Sequence, residues 1–160
     1  MEKTNAIRML DQKKIKYNTY EYPHQEGVCV DGVTVAELLK QNPDTVFKTL
    51  VTVGSDKRYY VCVLPVALEL DLKKAAKAFN VKSLEMIAVK DINQVTGYIR
   101  GGCSPIGMKK VFPTVIDESA LLYENIIFSG GKIGLQIEMN PKDIEKLIRV
   151  SFKEITRSDV

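Results

Sequence analysis

Apolar positions recur along the chain with two periods, close to 3.6 and close to 2, and their succession outlines a mixed α/β order. Ala6, Met9 and Leu10 follow a capping Thr4 or Asn5, predicting a helix over residues 4–14. Lys14 to Tyr22 alternates, with Ile15, Tyr17 and Thr19 on one face, and reads as a strand that Pro23 ends. Thr34-Val35-Ala36-Glu37 matches a capping box, so a second helix is expected from Val35 to about Gln41, closed by Asn42-Pro43-Asp44. The β-branched run Val46 to Val53, the turn Gly54-Ser55-Asp56-Lys57 and the run Arg58 to Val66 form a hairpin. Asp71 caps a helix over Leu72 to Phe79, whose Leu72, Ala75, Ala76 and Phe79 share a face while its lysines face solvent.

The C-terminal half is more broken. Ser83 to Met86 reads as a short strand or turn and Lys90 to Val95 as a short helix. Strands are expected over Val111 to Ile116, Asn125 to Phe128 and Ile133 to Met139, with a helical turn at Ser119 to Leu122. Alternation in the last strand sends Ile133, Leu135, Ile137 and Met139 to the core, and Gly134, Gln136 and Glu138 to the other face. Asn140-Pro141 opens a final helix reaching about Val150. No linker or repeat interrupts the pattern, which predicts one domain over residues 1–160 with a mixed sheet.

Composition narrows the class. At 160 residues, 45% hydrophobic and 27% charged, the chain can bury a proper core. A net charge of +3 permits a local RNA contact without demanding one. With no long apolar run, a cytoplasmic location is expected. Three separated cysteines, Cys29, Cys62 and Cys103, argue against a disulfide framework or zinc cage, and the lone His24 reads as a solvated loop residue. No metal or other cofactor is called for.

Three features carry candidate chemistry. Residues 96–110, Thr96-Gly97-Tyr98-Ile99-Arg100-Gly101-Gly102-Cys103-Ser104-Pro105-Ile106-Gly107-Met108-Lys109-Lys110, hold four glycines. They read either as a turn between core strands or as a loop offering N–H groups to a phosphate or oxyanion. Lys48 shares a strand face with Val46, Leu50 and Thr52, so it either faces a cleft or snorkels from the strand end. Ser129-Gly130-Gly131 is a hairpin turn whose amides and hydroxyl also suit a bound oxygen. No dinucleotide fingerprint, Walker lysine or nucleophile elbow is present.

Taken together, Val46-Phe47-Lys48-Thr49-Leu50, Leu70 to Lys77, Thr96 to Gly107 and Ser129-Gly130-Gly131-Lys132 resemble the YbaK/EbsC family, relatives of the prolyl-tRNA synthetase editing domain. The resemblance runs from Lys3 to about Phe152. It implies a compact, mixed, barrel-like sheet flanked by helices, and a trans-editing hydrolase acting on mischarged tRNA(Pro), foremost Cys-tRNA(Pro). Lys48 then matches the site lysine that holds the terminal adenosine or a phosphate near the ester. Tyr20 matches an aromatic position that walls the pocket or stacks on the terminal base. Gly101 and Gly102 match the loop whose amides meet the ester carbonyl, and Ser129, Gly130 and Gly131 the turn beside it. Gln136 departs from the aspartate of some relatives. Cys103 is expected to be no nucleophile, because the substrate's own thiol attacks its carbonyl and leaves as a thiolactone, a ribose hydroxyl playing the comparable part for alanine. The implied partners are aminoacylated tRNA(Pro) and prolyl-tRNA synthetase. Ala-tRNA(Pro) deacylation, a non-catalytic tRNA- or synthetase-binding module and a phosphate-binding metabolite enzyme are the alternatives.

Overall fold

The computed structural model describes residues 3–158. In chain order, α1 (Asn5–Gln12) leads to β1 (Asn18–Glu21), α2 (Gly32–Leu38), β2 (Phe47–Gly54), β3 (Tyr59–Pro65) and α3 (Leu72–Phe79). Then come β4 (Leu84–Met86), α4 (Ile92–Thr96), β5 (Thr114–Asp117), β6 (Ile126–Ser129), β7 (Leu135–Met139) and β8 (Val150–Lys153). The caps of α1 and α3 are those expected: the Thr4 hydroxyl accepts the Ile7 N–H, and the Asp71 carboxylate accepts those of Lys73 and Lys74.

The strands make two sheets, one of three strands in the order β1-β7-β6 and one of five in the order β4-β2-β3-β5-β8. β5 is parallel to both β3 and β8, and the other pairs are antiparallel. The fold is therefore mixed α/β. Among the described residues a single parallel bridge, Val46 to Ile127, joins the sheets, and they do not close into a barrel.

Alternation along the β2–β3 hairpin serves two cores. Phe47, Val51, Val61 and Val63 meet Phe128, Leu135 and Ile137 of the smaller sheet and Ala6, Ile7 and Leu10 of α1. Cys62 and Leu64, on the opposite face, pack against Ala75 and Ala76 of α3. Each large side chain buried here contributes about 1.5–3 kcal/mol by leaving water.

Several local expectations are corrected. Asp31, not Thr34, caps α2, which starts at Gly32 because the Asp31 carboxylate reaches the Thr34 N–H at 3.0 Å. β1 is only Asn18–Glu21, and all four of its residues are exposed. The expected strand from Val111 begins at Thr114, where the Pro113 carbonyl accepts the Val61 N–H. Ile133 leaves the core face of β7, since Gly134 at φ +94° breaks the alternation; it packs with Tyr22 and Val35 instead. The final helix shrinks to a 3-10 segment, Pro141–Lys146, and Val150–Lys153 becomes β8 because β5 offers it a parallel edge.

Candidate functional site

The cleft lies where the two sheets part. One step beyond the Val46–Ile127 bridge, a parallel pairing would set Lys48 opposite Ser129; no such pair forms. The strands diverge there around a cavity of about 300 Å³, with Lys48 and Ser129 both in its lining. Phe47 to Leu50 and Val66 line one side, and Phe128, Ser129, Leu135 and Gln136 the other. Tyr22, the segment Cys29–Gly32 and Val35 of α2 contribute a further wall, and Arg100, Gly101 and Cys103 bring in the glycine-rich loop.

Lys48 is half-buried, and its Nζ donates to the Val66 carbonyl oxygen at 3.4 Å. Burial pulls its pKa below the usual lysine value, while Glu69 opposes the shift. Desolvation strengthens this cation's pull on any oxyanion or phosphate that enters. Ser129 Oγ accepts the Gly131 N–H at 3.2 Å, so the hydroxyl keeps its own proton to donate. Thr49 Oγ1 is buried without a protein partner among the described residues, beside Lys48 in the same wall.

The glycines divide. Gly101 lines the cavity at φ +84°, and a Cβ there would come within 2.7 Å of Cys29 Sγ. Gly102 is buried outside the lining: its N–H donates to the Ile99 carbonyl at 2.9 Å, and a Cβ would meet the Lys132–Ile133 backbone at 2.9–3.0 Å. Gly130 donates its N–H to the Leu135 carbonyl at 2.8 Å. The expected cradle of glycine amides thus narrows to Gly101, with Gly102, Gly130 and Gly131 donating within the protein.

Tyr20 does not line the cavity. It is exposed, and its hydroxyl donates to Glu138 at 3.1 Å; Tyr22, on the same strand face, supplies the aromatic wall. The short β1 explains the exchange, because the chain turns inward only at Tyr22, whose N–H donates to the Gly134 carbonyl at 3.0 Å. Gln136 is on the face expected, yet buried: it and Gln41 exchange amide hydrogen bonds of 2.7 and 3.3 Å. His24 is exposed outside the lining, against Gly134. Cys103 lines the cavity, but burial pushes its thiol up to about 12, which suppresses the thiolate a nucleophile requires. Tyr22 and Asp31 had no motif to announce them, while Thr49 and Arg100 lay inside motifs without being singled out; strand alternation could have found Thr49 only with the splayed edge known.

Residues 29–147 match the model of the aminoacyl-tRNA editing domain. The chain belongs to that family. Members of the editing-domain family are thus its relatives, and over 158 residues it is 49% identical to an Enterococcus faecalis protein provisionally named Cys-tRNA(Pro)/Cys-tRNA(Cys) deacylase EbsC. That alignment covers 99% of this chain and 96% of the relative. The editing-domain fold extends to distant solved structures. A provisionally assigned trans-editing enzyme for prolyl-tRNA synthetase superposes with a TM-score of 0.82 at 21% identity, over 99% of this chain and 100% of that one. A structure from computational grafting of epitopes onto scaffold proteins gives 0.84 at 20% identity, over 97% and 96%. Among the described residues, no group of three His, Cys, Asp or Glu could hold a metal ion, and no helix is long and apolar enough to cross a membrane.

Proposed function

We propose that this editing-domain protein deacylates mischarged tRNA(Pro), with Cys-tRNA(Pro) as its foremost substrate. The observation that supports the reading is that Lys48 and Ser129 both line the cleft where β2 and β6 part. The relative's name points to the cysteinyl ester. An ester already carries a good leaving group, so positioning and charge stabilisation supply much of the acceleration. The Lys48 ammonium attracts the terminal nucleotide's phosphate or the developing oxyanion, while Ser129 and the Gly101 amide face the acyl group. No protein nucleophile is needed. The cysteinyl thiol attacks its own carbonyl carbon, the carbon–oxygen ester bond breaks, and the thiol proton passes to the departing ribose oxygen, giving tRNA and a thiolactone. The held-protonated Cys103 and the outlying His24 accord with that division of labour. We further infer that the chain acts as a single cytoplasmic domain beside prolyl-tRNA synthetase, which supplies the tRNA selection that a +3 charge alone does not.

Purified protein incubated with Cys-, Ala- and Pro-charged tRNA(Pro), and with Cys-tRNA(Cys), tests the reading. Cys-tRNA(Pro) should turn over fastest, and Lys48→Ala should abolish turnover with Tm unchanged. Preferential release of alanine would reassign the substrate, and tRNA binding without turnover would make the chain a binding module. Near-normal activity of Lys48→Ala would remove the lysine from the mechanism.

A further inference from the structure

We propose that Asp31 receives the α-ammonium of the bound aminoacyl group, so that the cleft selects esters with a free α-amine over N-acylated ones. This rests on the cleft being an aminoacyl-ester site. Of the described side chains lining it, Lys48 and Arg100 are cationic and Asp31 alone is a carboxylate. None of the ion pairs among the described residues involves any of these three. An incoming aminoacyl ester brings a cation of its own into this setting. Beside Lys48 and Arg100 it is repelled; beside the carboxylate it is attracted.

The fold puts that carboxylate near the reacting end. Gly32, the residue after Asp31, packs so closely on Val66 that a Cβ would collide with the Val66 side chain. The Val66 carbonyl in turn accepts the Lys48 ammonium. Asp31 is also held in place: its Oδ1 accepts the Thr34 N–H at 3.0 Å and its Oδ2 the Thr34 hydroxyl at 2.7 Å. These bonds keep it ionised by lowering its pKa, and each oxygen retains acceptor capacity for an ammonium. Gln136, Ser129 and Thr49 also line the cavity, but an amide or a hydroxyl offers an ammonium no counter-charge. An N-acylated ester would lose the charge and press its extra bulk on the α2 side of the cleft.

The test uses a hydrolysis-resistant probe, 3′-cysteinylamino-3′-deoxyadenosine, with its α-amine free or acetylated, titrated against the wild type and Asp31→Asn. Asparagine keeps the N-cap and removes the charge. The wild type should bind the free-amine form about fivefold more tightly, as befits a partly exposed ion pair. Asp31→Asn should bind both forms equally, at the wild-type affinity for the acetylated one. With Cys-tRNA(Pro), the same variant should raise KM and leave kcat. A free-amine preference absent from the wild type or preserved in Asp31→Asn would overturn the proposal, as would failure of both probes to bind. Discrimination between the probes without any turnover of Cys-tRNA(Pro) would instead overturn the deacylase reading and leave the role of Asp31 standing.

Discussion

The two glycine segments beside the cleft look alike in sequence and behave differently. In Ser129-Gly130-Gly131, Gly130 donates its N–H to Leu135 and Gly131 donates its own to Ser129 Oγ, and added Cβ atoms would strike Leu135, Thr4 and Tyr98. That turn is a packed scaffold that aims a hydroxyl. In Arg100-Gly101-Gly102-Cys103 the first glycine faces the cavity and the second locks the loop onto the Lys132–Ile133 backbone. Glycine therefore serves two ends here, close backbone packing and exposure of a wall. Which one applies depends on where each amide finds its acceptor.

Substitutions can break that contrast. The largest loss of stability is expected for Gly102→Ala, because its Cβ meets backbone atoms that cannot rotate away. It should cost about 1–3 kcal/mol and lower Tm by roughly 2–4 °C for each of them in a chain of this size, measured by thermal unfolding. Gly101→Ala should cost less stability, about 1–2 kcal/mol for the left-handed backbone, since the Cys29 side chain can move. Its kcat/KM should nonetheless fall about tenfold, because a small displacement in a positioning site is amplified in rate. Pairing it with Cys29→Ala should recover part of the stability; no recovery would mean that backbone strain is the whole cost.

Smaller effects sharpen the site's chemistry. Cys62 and Cys103 have folded-state values raised from 9.0 to about 12 by burial. Their contribution to stability is complete below pH 9 and is lost as pH rises from about 9 toward 12, because the unfolded chain releases those protons first. Replacing Cys62 with Ala should flatten the alkaline slope of stability in denaturant titrations. The smallest effect is expected for Cys103→Ser, which should leave deacylation within about twofold; complete loss would mean that the thiol takes part.

Legibility followed the range of the interactions. The β2–β3 hairpin and the starts of α1 and α3 could be read because a local turn, Thr4 and Asp71 determine them with neighbours in sequence. α2 was displaced because two capping residues, Asp31 and Thr34, compete within one turn, and the earlier one captures the later one's amide. β8 was missed because the expected helix stopped at about Val150 and nothing local marks Val150–Lys153 as a strand; β5 supplies the parallel edge that makes it one. Tyr20 and Tyr22 share a strand face, and only the short length of β1 decides which of them reaches the cavity.

The sequence by itself determined the mixed order of elements, the two candidate glycine segments, the suspicion attached to Lys48 and the motif set that marks the family. Those properties are written in local periodicity, capping chemistry and residue type. Tertiary structure decided that a one-pair bridge is all that joins β2's edge to β6, that Lys48 and Ser129 both line the opening beyond it, and that Gly101 alone among the four site glycines does so. It also drew Asp31, Thr49 and Arg100 into the same wall system. The reason is geometric: a cleft exists where two sheets fail to stay paired, and that failure is set by packing among residues far apart in the chain.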